Sequence, residues 1–246
     1  MTGVDHHLAG LGNMAERTTE KQRGRPGYEG YLNDNVATVA ERLKDVGYRT
    51  YIAGKWHLGK QQDQSPAARG FDRSYVLLEG GGNHYNDGGM FPYAPVSTYR
   101  ENGDIVTLEE GFYSTEYYTD KLISYLDEGE ASKAPFFAYL AYTAPHWPLQ
   151  APRSAIEKYR GVYDDGYDVL REKRARALVD EGLLSGVATQ RLDSLPDYRS
   201  WDALSPVEKA VQSRTMEVYA AMVEEMDRHI GRLLSRLEEN GVVLWG

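Results

Sequence analysis

Lys55 and His57 stand one residue apart in the run Gly54-Lys55-Trp56-His57. The alternation from Tyr48 to Ala53 just before them predicts a short strand. Gly54, with no side chain, lets the backbone turn tightly where that strand ends, so the lysine and histidine project together from its C-terminal end. Two donors placed in this way can grip different oxygens of one tetrahedral anion, and either can stabilise charge that builds up in a transition state. A surface lysine beside a packed histidine is the alternative that the pair alone leaves open. The other imidazoles are His6-His7 beside Asp5, His84 close to Asp87, His146, and His229. His229 lies among charged neighbours and is expected on a surface. The chain has no cysteine, which excludes a thiolate nucleophile, thiolate metal sites and disulfides.

The elements that must position these residues follow a βα order. Val36, Val39, Ala40, Leu43 and Val46 recur at helical spacing, with Asn33 or Asp34 as the expected N-cap and Gly47 as the stop. Residues 1 to 32, rich in glycine and polar residues, predict a partial helix and then loop. Tyr118, Leu122, Tyr125 and Leu126 share one face of a helix over 116 to 128, and the apolar run 136 to 142 predicts a buried parallel strand. The stretch from Gly80 to Gly89 is too glycine-rich for regular structure and reads as a functional loop. Ser205-Pro206-Val207-Glu208 combines an N-cap, a proline at the first helical position and a capping box, and opens a helix running to Asn240-Gly241. Val242-Val243-Leu244 looks like the start of a further strand.

Composition narrows the partners. The 246 residues suit one large domain with a real core. With 28 basic against 37 acidic residues the net charge is −9, which argues against nucleic acid or an anionic membrane but leaves room for a small anion bound locally. No apolar run approaches the ~20 residues of a membrane span, and the start of the sequence as written has no signal-peptide pattern, so a cytoplasmic location is expected. Tyrosine (19) far outnumbers phenylalanine (5), which predicts many packed surfaces bordering water.

The segment Gly47-Tyr48-Arg49-Thr50-Tyr51-Ile52-Ala53-Gly54-Lys55-Trp56-His57 resembles the second signature of the sulfatases at every defining position. The resemblance runs from Thr2-Gly3-Val4-Asp5-His6-His7-Leu8-Ala9-Gly10 to the final helix. It implies an α/β core of the alkaline-phosphatase and sulfatase type, mainly a parallel sheet flanked by helices. Thr143-Ala144-Pro145-His146-Trp147-Pro148 resembles the family's other active-site histidine motif, so His146 is expected to face Lys55 and His57, to bind the sulfate and to handle protons. An imidazole suits that task because its unperturbed pKa, ~6.5, lies near working pH. The expected catalytic set is Lys55, His57 and His146, with His84 and Trp147 added for substrate binding.

The same resemblance implies a formylglycine made within a Cys/Ser-x-Pro-x-Arg motif, and the sequence contains none. Ser194-Leu195-Pro196-Asp197-Tyr198 comes nearest, but it has tyrosine where arginine is required and reads as a chance match. The family's paired metal-binding aspartates, its Asp-Asn ligands, a second lysine and a C-terminal subdomain are likewise not found. The chain therefore reads as a single truncated sulfatase-like domain, with no formylglycine and with weak or repurposed hydrolysis of a small-molecule ester of a tetrahedral acid. Activated phosphotriesters, which do not repel hydroxide, are favoured over sulfate monoesters. A non-catalytic, anion-binding remnant is the alternative. A divalent metal (Zn, Mn or Ca) held by some of Asp5, His6, His7, His57, His84, Asp87 and His146 could bring a bound water's pKa toward ~7. A homodimer is expected to cover strand edges and the apolar face of the long helix, with Met216, Met222 and Met226 in the contact. A fold-back of residues 1 to 32 that leaves a monomer is the competing arrangement.

Overall fold

In a computed structural model the described residues are 1–130, 133–184 and 199–242. The Ser194–Tyr198 near-match and the strand expected at Val243-Leu244 lie outside them. Met1–Pro148 with Met226–Gly246 form one compact unit and Leu149–Glu225 a second.

The first unit is built on strand β1 (Arg49–Lys55), which pairs in parallel with β2 (Arg73–Leu77) on one side and β7 (Phe136–Ala141) on the other. A hairpin of β5 (Tyr99–Glu101) and β6 (Asp104–Val106) adds antiparallel to β2, giving the order β6-β5-β2-β1-β7. Strands β3 (Gly88–Phe91) and β4 (Ala94–Val96) make a separate two-stranded ribbon. The fold is thus α/β with a mixed, mostly parallel sheet.

Side chains of a strand alternate between faces, and β1 and β2 bury both of theirs. On one face Tyr51, Ala53, Tyr75 and Leu77 meet Tyr118, Leu122 and Tyr125 of helix α2 (Ser114–Gly129). On the other, Ile52 and Val76 pack with Ala40 of helix α1 (Val39–Asp45), Phe71 and Trp56. Many tyrosines therefore sit in the core instead of at wet surfaces. Their tips end on polar partners such as Glu101, which accepts from Tyr125 at 2.9 Å and from Lys121 at 2.9 and 3.0 Å.

Several elements differ from the sequence reading. Helix α1 starts at Val39, and its N-cap is Thr38, whose hydroxyl accepts from Glu41 N while the Glu41 carboxylate accepts from Thr38 N. Residues 1 to 32 hold turns and one short 3₁₀ segment, Ala15–Arg17. The glycine-rich stretch runs into β3 instead of staying irregular. Strand β7 is the edge of the described sheet and only partly buried, so the apolar run is less enclosed than expected.

The long helix α5 (Pro206–Glu239) begins as the capping box requires: Glu208 N donates to Ser205 Oγ at 3.3 Å and Ser205 N to Glu208 Oε2 at 2.8 Å. Arg199, followed by Ser205, holds the Glu208 carboxyl down at about 2. Within the first unit Arg236 of α5 grips Asp127 of α2 through two bonds of 3.0 Å, and Arg232 reaches Asp120 at 2.7 Å. His229 is fully buried with ring nitrogens 2.8 Å from Arg228 and Arg232, so it is not a surface residue. In the second unit, with helices α3 (Arg153–Glu157) and α4 (Gly166–Asp180), Met222 is fully buried and its sulfur accepts from Gln150 N at 3.3 Å. It is therefore not available for the helix contact expected of it. No described helix is long and apolar enough to cross a membrane.

Asp72 ties the end of α1 to the start of β1, accepting from Lys44 at 2.7 Å and from Thr50 N at 3.0 Å. Burial works against its charge, yet the Lys44 and Thr50 hydrogen bonds hold it below its ordinary value of 3.8. A depressed carboxylate contributes stability that is present above the unfolded pKa and lost as pH falls through the folded one. Asp72→Asn is therefore expected to cost about 1 kcal/mol at neutral pH, from the lost charge-assisted bonds. Chemical unfolding at several pH values checks this: the gap to wild type should close only below 3.8.

Candidate active site

Lys55 is the last residue of β1, at the C-terminal end of a central parallel strand, where α/β sheets place their ligands. Gly54 before it has φ +124 and lies so close to β7 that a Cβ would stand 2.0 Å from the Ala141 carbonyl oxygen. Trp56 turns the other way into the core, its indole donating to the Gln64 carbonyl at 2.9 Å. The turn thus leaves Lys55 and His57 on the open side. Burial lowers the Lys55 ammonium below its ordinary 10.5, and the negative charge of Glu16 opposes that loss.

His57 adopts φ +54, a left-handed conformation that non-glycine residues keep only when their surroundings enforce it. Its Nε2 lies 3.1 and 3.3 Å from the two carboxylate oxygens of Glu16. Burial opposes the Glu16 charge, but hydrogen bonds from its own backbone amide and from His57 hold the carboxyl below the ordinary 4.5.

His146 sits on the turn after β7. Its Nδ1–H donates to the Trp147 carbonyl at 2.6 Å and its own backbone N–H to Thr143 O at 3.0 Å. Two consecutive glycines lie against the two histidines. A Cβ on Gly80 would stand 2.7 Å from His57 Cε1, and one on Gly81 3.2 Å from His146 Nδ1. Both imidazoles therefore lie against one stretch of bare backbone. A cleft lined by His57, Gly80 and Gly81 opens past Glu16, Met90, Phe91 and Tyr93. Phe91 and Tyr93 stack at 5.0 Å with ring planes 5° apart, and Trp147 meets Phe91 edge-on at 5.7 Å while stacking on His146 at the same distance.

The other residues expected at the site fare differently. His84 is fully buried: its Nε2–H donates to the His146 carbonyl at 3.1 Å and its Nδ1 accepts from the Ser114 hydroxyl at 2.7 Å. Burial lowers its pKa, and with both ring nitrogens engaged it braces the His146 turn from behind. Asp87 is exposed, and its contribution is a backbone carbonyl that accepts from Ser97 N at 2.7 Å. Asp5, His6 and His7 form the one group among the described residues whose ligand atoms could share a metal ion, all within 4.8 Å of one another and exposed. This group is a subset of the seven candidates named from the sequence; His57, His84, Asp87 and His146 are not part of it. Glu16, Phe91 and Tyr93 were not anticipated. Nothing in the sequence links Glu16 to a histidine 41 residues away.

The Sulfatase family model matches residues 1–243. The chain belongs to the sulfatase family. This sulfatase chain is 47% identical over 253 residues to an uncharacterised sulfatase of Schizosaccharomyces pombe, covering 98% of the chain and 45% of that protein. It is 37% identical over 245 residues to an arylsulfatase of Klebsiella aerogenes, covering 98% and 51%. The chain thus spans about half the length of these relatives. Among solved structures, i-CgsB in complex with a neocarrahexaose superposes with a TM-score of 0.57 at 24% identity, over 86% of this chain and 38% of that one. YidJ of Bacteroides fragilis gives 0.55 at 20% identity, over 87% and 43%. These likenesses bear out the alkaline-phosphatase-like α/β fold.

Proposed function

We propose that this sulfatase-family chain acts in the hydrolysis of small sulfate monoesters carrying a ring-shaped leaving group. Lys55 and His57 grip the anion, and the imidazoles handle the protons. The observation that carries this is the convergence of His57 and His146 on Gly80-Gly81, at the strand end that also carries Lys55. Bare glycine backbone lets a small anion approach closely. Placed donors and an ammonium drawn partly out of water act there more strongly than in bulk solvent.

Charge argues for the monoester. A neutral phosphotriester avoids repelling hydroxide, but it would leave the partly desolvated Lys55 ammonium with the Glu16 charge alone to offset its burial. An anionic ester supplies one. The stacked Phe91 and Tyr93 beside Trp147 offer flat apolar surface to whatever the sulfate is attached to, and aromatic faces favour planar rings. A divalent cation (Zn, Mn or Ca) remains part of this reading in general terms. The described residues around the cleft supply no three-ligand group to hold it, so no step here is routed through a metal.

The test is turnover of an aryl sulfate and an aryl phosphotriester by the full chain, with and without added divalent cations, alongside thermal unfolding in inorganic sulfate. The sulfate ester is expected to be the better substrate. Phe91→Ala is expected to raise KM for aryl sulfates about tenfold while leaving alkyl sulfates unchanged, as loss of one ring contact of ~1.4 kcal/mol would do. Faster turnover of the triester, or no turnover together with no stabilisation by sulfate, overturns the reading.

A further inference from the structure

Asp5, His6 and His7 follow one another on a turn, yet their side chains converge instead of fanning out. The backbone is held for this: Ala9 N donates to Asp5 O at 3.2 Å, Leu11 N to His6 O at 2.8 Å and Gly10 N to His7 O at 3.1 Å. Asp5 Oδ1 accepts from His7 N at 2.9 Å, which fixes the carboxylate beside both imidazoles. Nδ1 of His7 then lies 3.4 Å from Oδ1, and Nδ1 of His6 lies 3.7 Å from Oδ2. Both separations are longer than a good hydrogen bond, which ends at about 3.2 Å. They are close to the edge of a tetrahedron around zinc, because ligand bonds of about 2.1 Å at tetrahedral angles set neighbouring ligand atoms roughly 3.4 Å apart. The three ligand atoms all lie within 4.8 Å of one another, and the exposed His6 ring is free to close what distance remains.

The far side of His7 is built as well. Its Nε2 lies 3.2 Å from the Tyr28 hydroxyl, and the two rings meet edge to face at 5.2 Å. Gly12 makes room for the pair: a Cβ there would stand 2.6 Å from His7 Cδ2 and 2.9 Å from Tyr28 Cε1. A ligating histidine usually gives its second ring N–H to an oxygen, which fixes the ring and leaves the first nitrogen bare for the ion. Tyr28 stands where that oxygen is needed.

We propose that Asp5, His6 and His7 form a transition-metal site suited to zinc, in which the Asp5 carboxylate and both Nδ1 atoms bind the ion and Tyr28 orients His7. Two imidazoles and one carboxylate select a borderline ion such as zinc over calcium or magnesium, which call for shells of oxygen. Three protein ligands leave the fourth tetrahedral position to water. None of these four residues lines the cleft, so the site stands or falls separately from the hydrolysis proposed above.

Zinc titration of the metal-free full chain, read by calorimetry and by thermal unfolding, tests this. Wild type is expected to bind zinc at a single tight site and to melt at a higher temperature with it, since a ligand of the folded state stabilises that state. Asp5→Asn, His6→Ala and His7→Ala are each expected to weaken that binding roughly tenfold or more. Tyr28→Phe, which keeps the ring and removes only the hydroxyl, should weaken it about tenfold, the scale of a lost partner behind a ligand. Asp5, His6 and His7 are exposed, so the metal-free variants should melt where metal-free wild type does. No zinc binding by wild type, or equal binding by wild type and a variant lacking both histidines, overturns the proposal. Tighter binding of calcium than of zinc through these residues does the same. Undiminished binding by Tyr28→Phe would reveal two neighbouring histidines acting without orientation, and overturns the built site.

Discussion

Replacing Lys55 by alanine is expected to lower kcat/KM for an aryl sulfate by about 10²–10³-fold, the usual cost of removing a placed electrostatic stabiliser. The fold should survive, because Lys55 is the partly exposed last residue of its strand and the core residues before it are untouched. Binding gives a separate measurement. Inorganic sulfate should raise the melting temperature of wild type and not that of Lys55→Ala, since a ligand stabilises only in proportion to its affinity for the folded state. The sign with pH follows from the burial that depresses the ammonium. Lys55 must be charged to hold the anion, so sulfate stabilisation should fade as pH rises through a value below 10.5. Lys55→Ala lacks this alkaline limb. Equal sulfate stabilisation of the two proteins would remove Lys55 from the site.

How much of this was legible in the sequence depends on where each signal lies. The strand–glycine–lysine arrangement is local, and β1 forms where alternation places it. The Ser205–Glu208 box is local as well and starts α5 as read. The start of α1 was equally available, since Thr38 and Glu41 carry the same threonine-x-x-glutamate signature, but the apolar spacing from Val36 drew the boundary forward. Asn102-Gly103, both at positive φ, is a hairpin turn between β5 and β6 of the kind that a strand search should catch. His229 follows Met222 by seven residues, two helical turns, and so shares its buried face; the charged neighbours obscured that. Glu16 and the Phe91–Tyr93 step are different in kind. They reach the cleft only through the path of the chain, which no periodicity encodes.

Gly54→Ala is expected to be a severely disruptive single-methyl change, and Gly47→Ala shows why. Both glycines hold positive φ, +124 at Gly54 and +89 at Gly47, where an added side chain is strained. At Gly47 a Cβ meets nothing within 4 Å, so its alanine variant pays only for conformation, about 1–2 kcal/mol. At Gly54 the Cβ would stand 2.0 Å from the Ala141 oxygen and 2.5 Å from its carbonyl carbon. These are backbone atoms of the paired strand, in register with Gly54, and cannot swing aside as a side chain can. Strain and overpacking together should cost roughly 4 kcal/mol, at the level that marks a named structural mechanism. The damage is also directed. Relief requires β7 to move away from β1, and β7 leads straight into the turn that presents His146. A folded fraction of Gly54→Ala should therefore lose turnover at least as fully as Lys55→Ala does, whereas Gly47→Ala should keep it. Denaturant midpoints for the two variants decide the structural half: equal losses would mean that the close β1–β7 approach is not what requires glycine at this position.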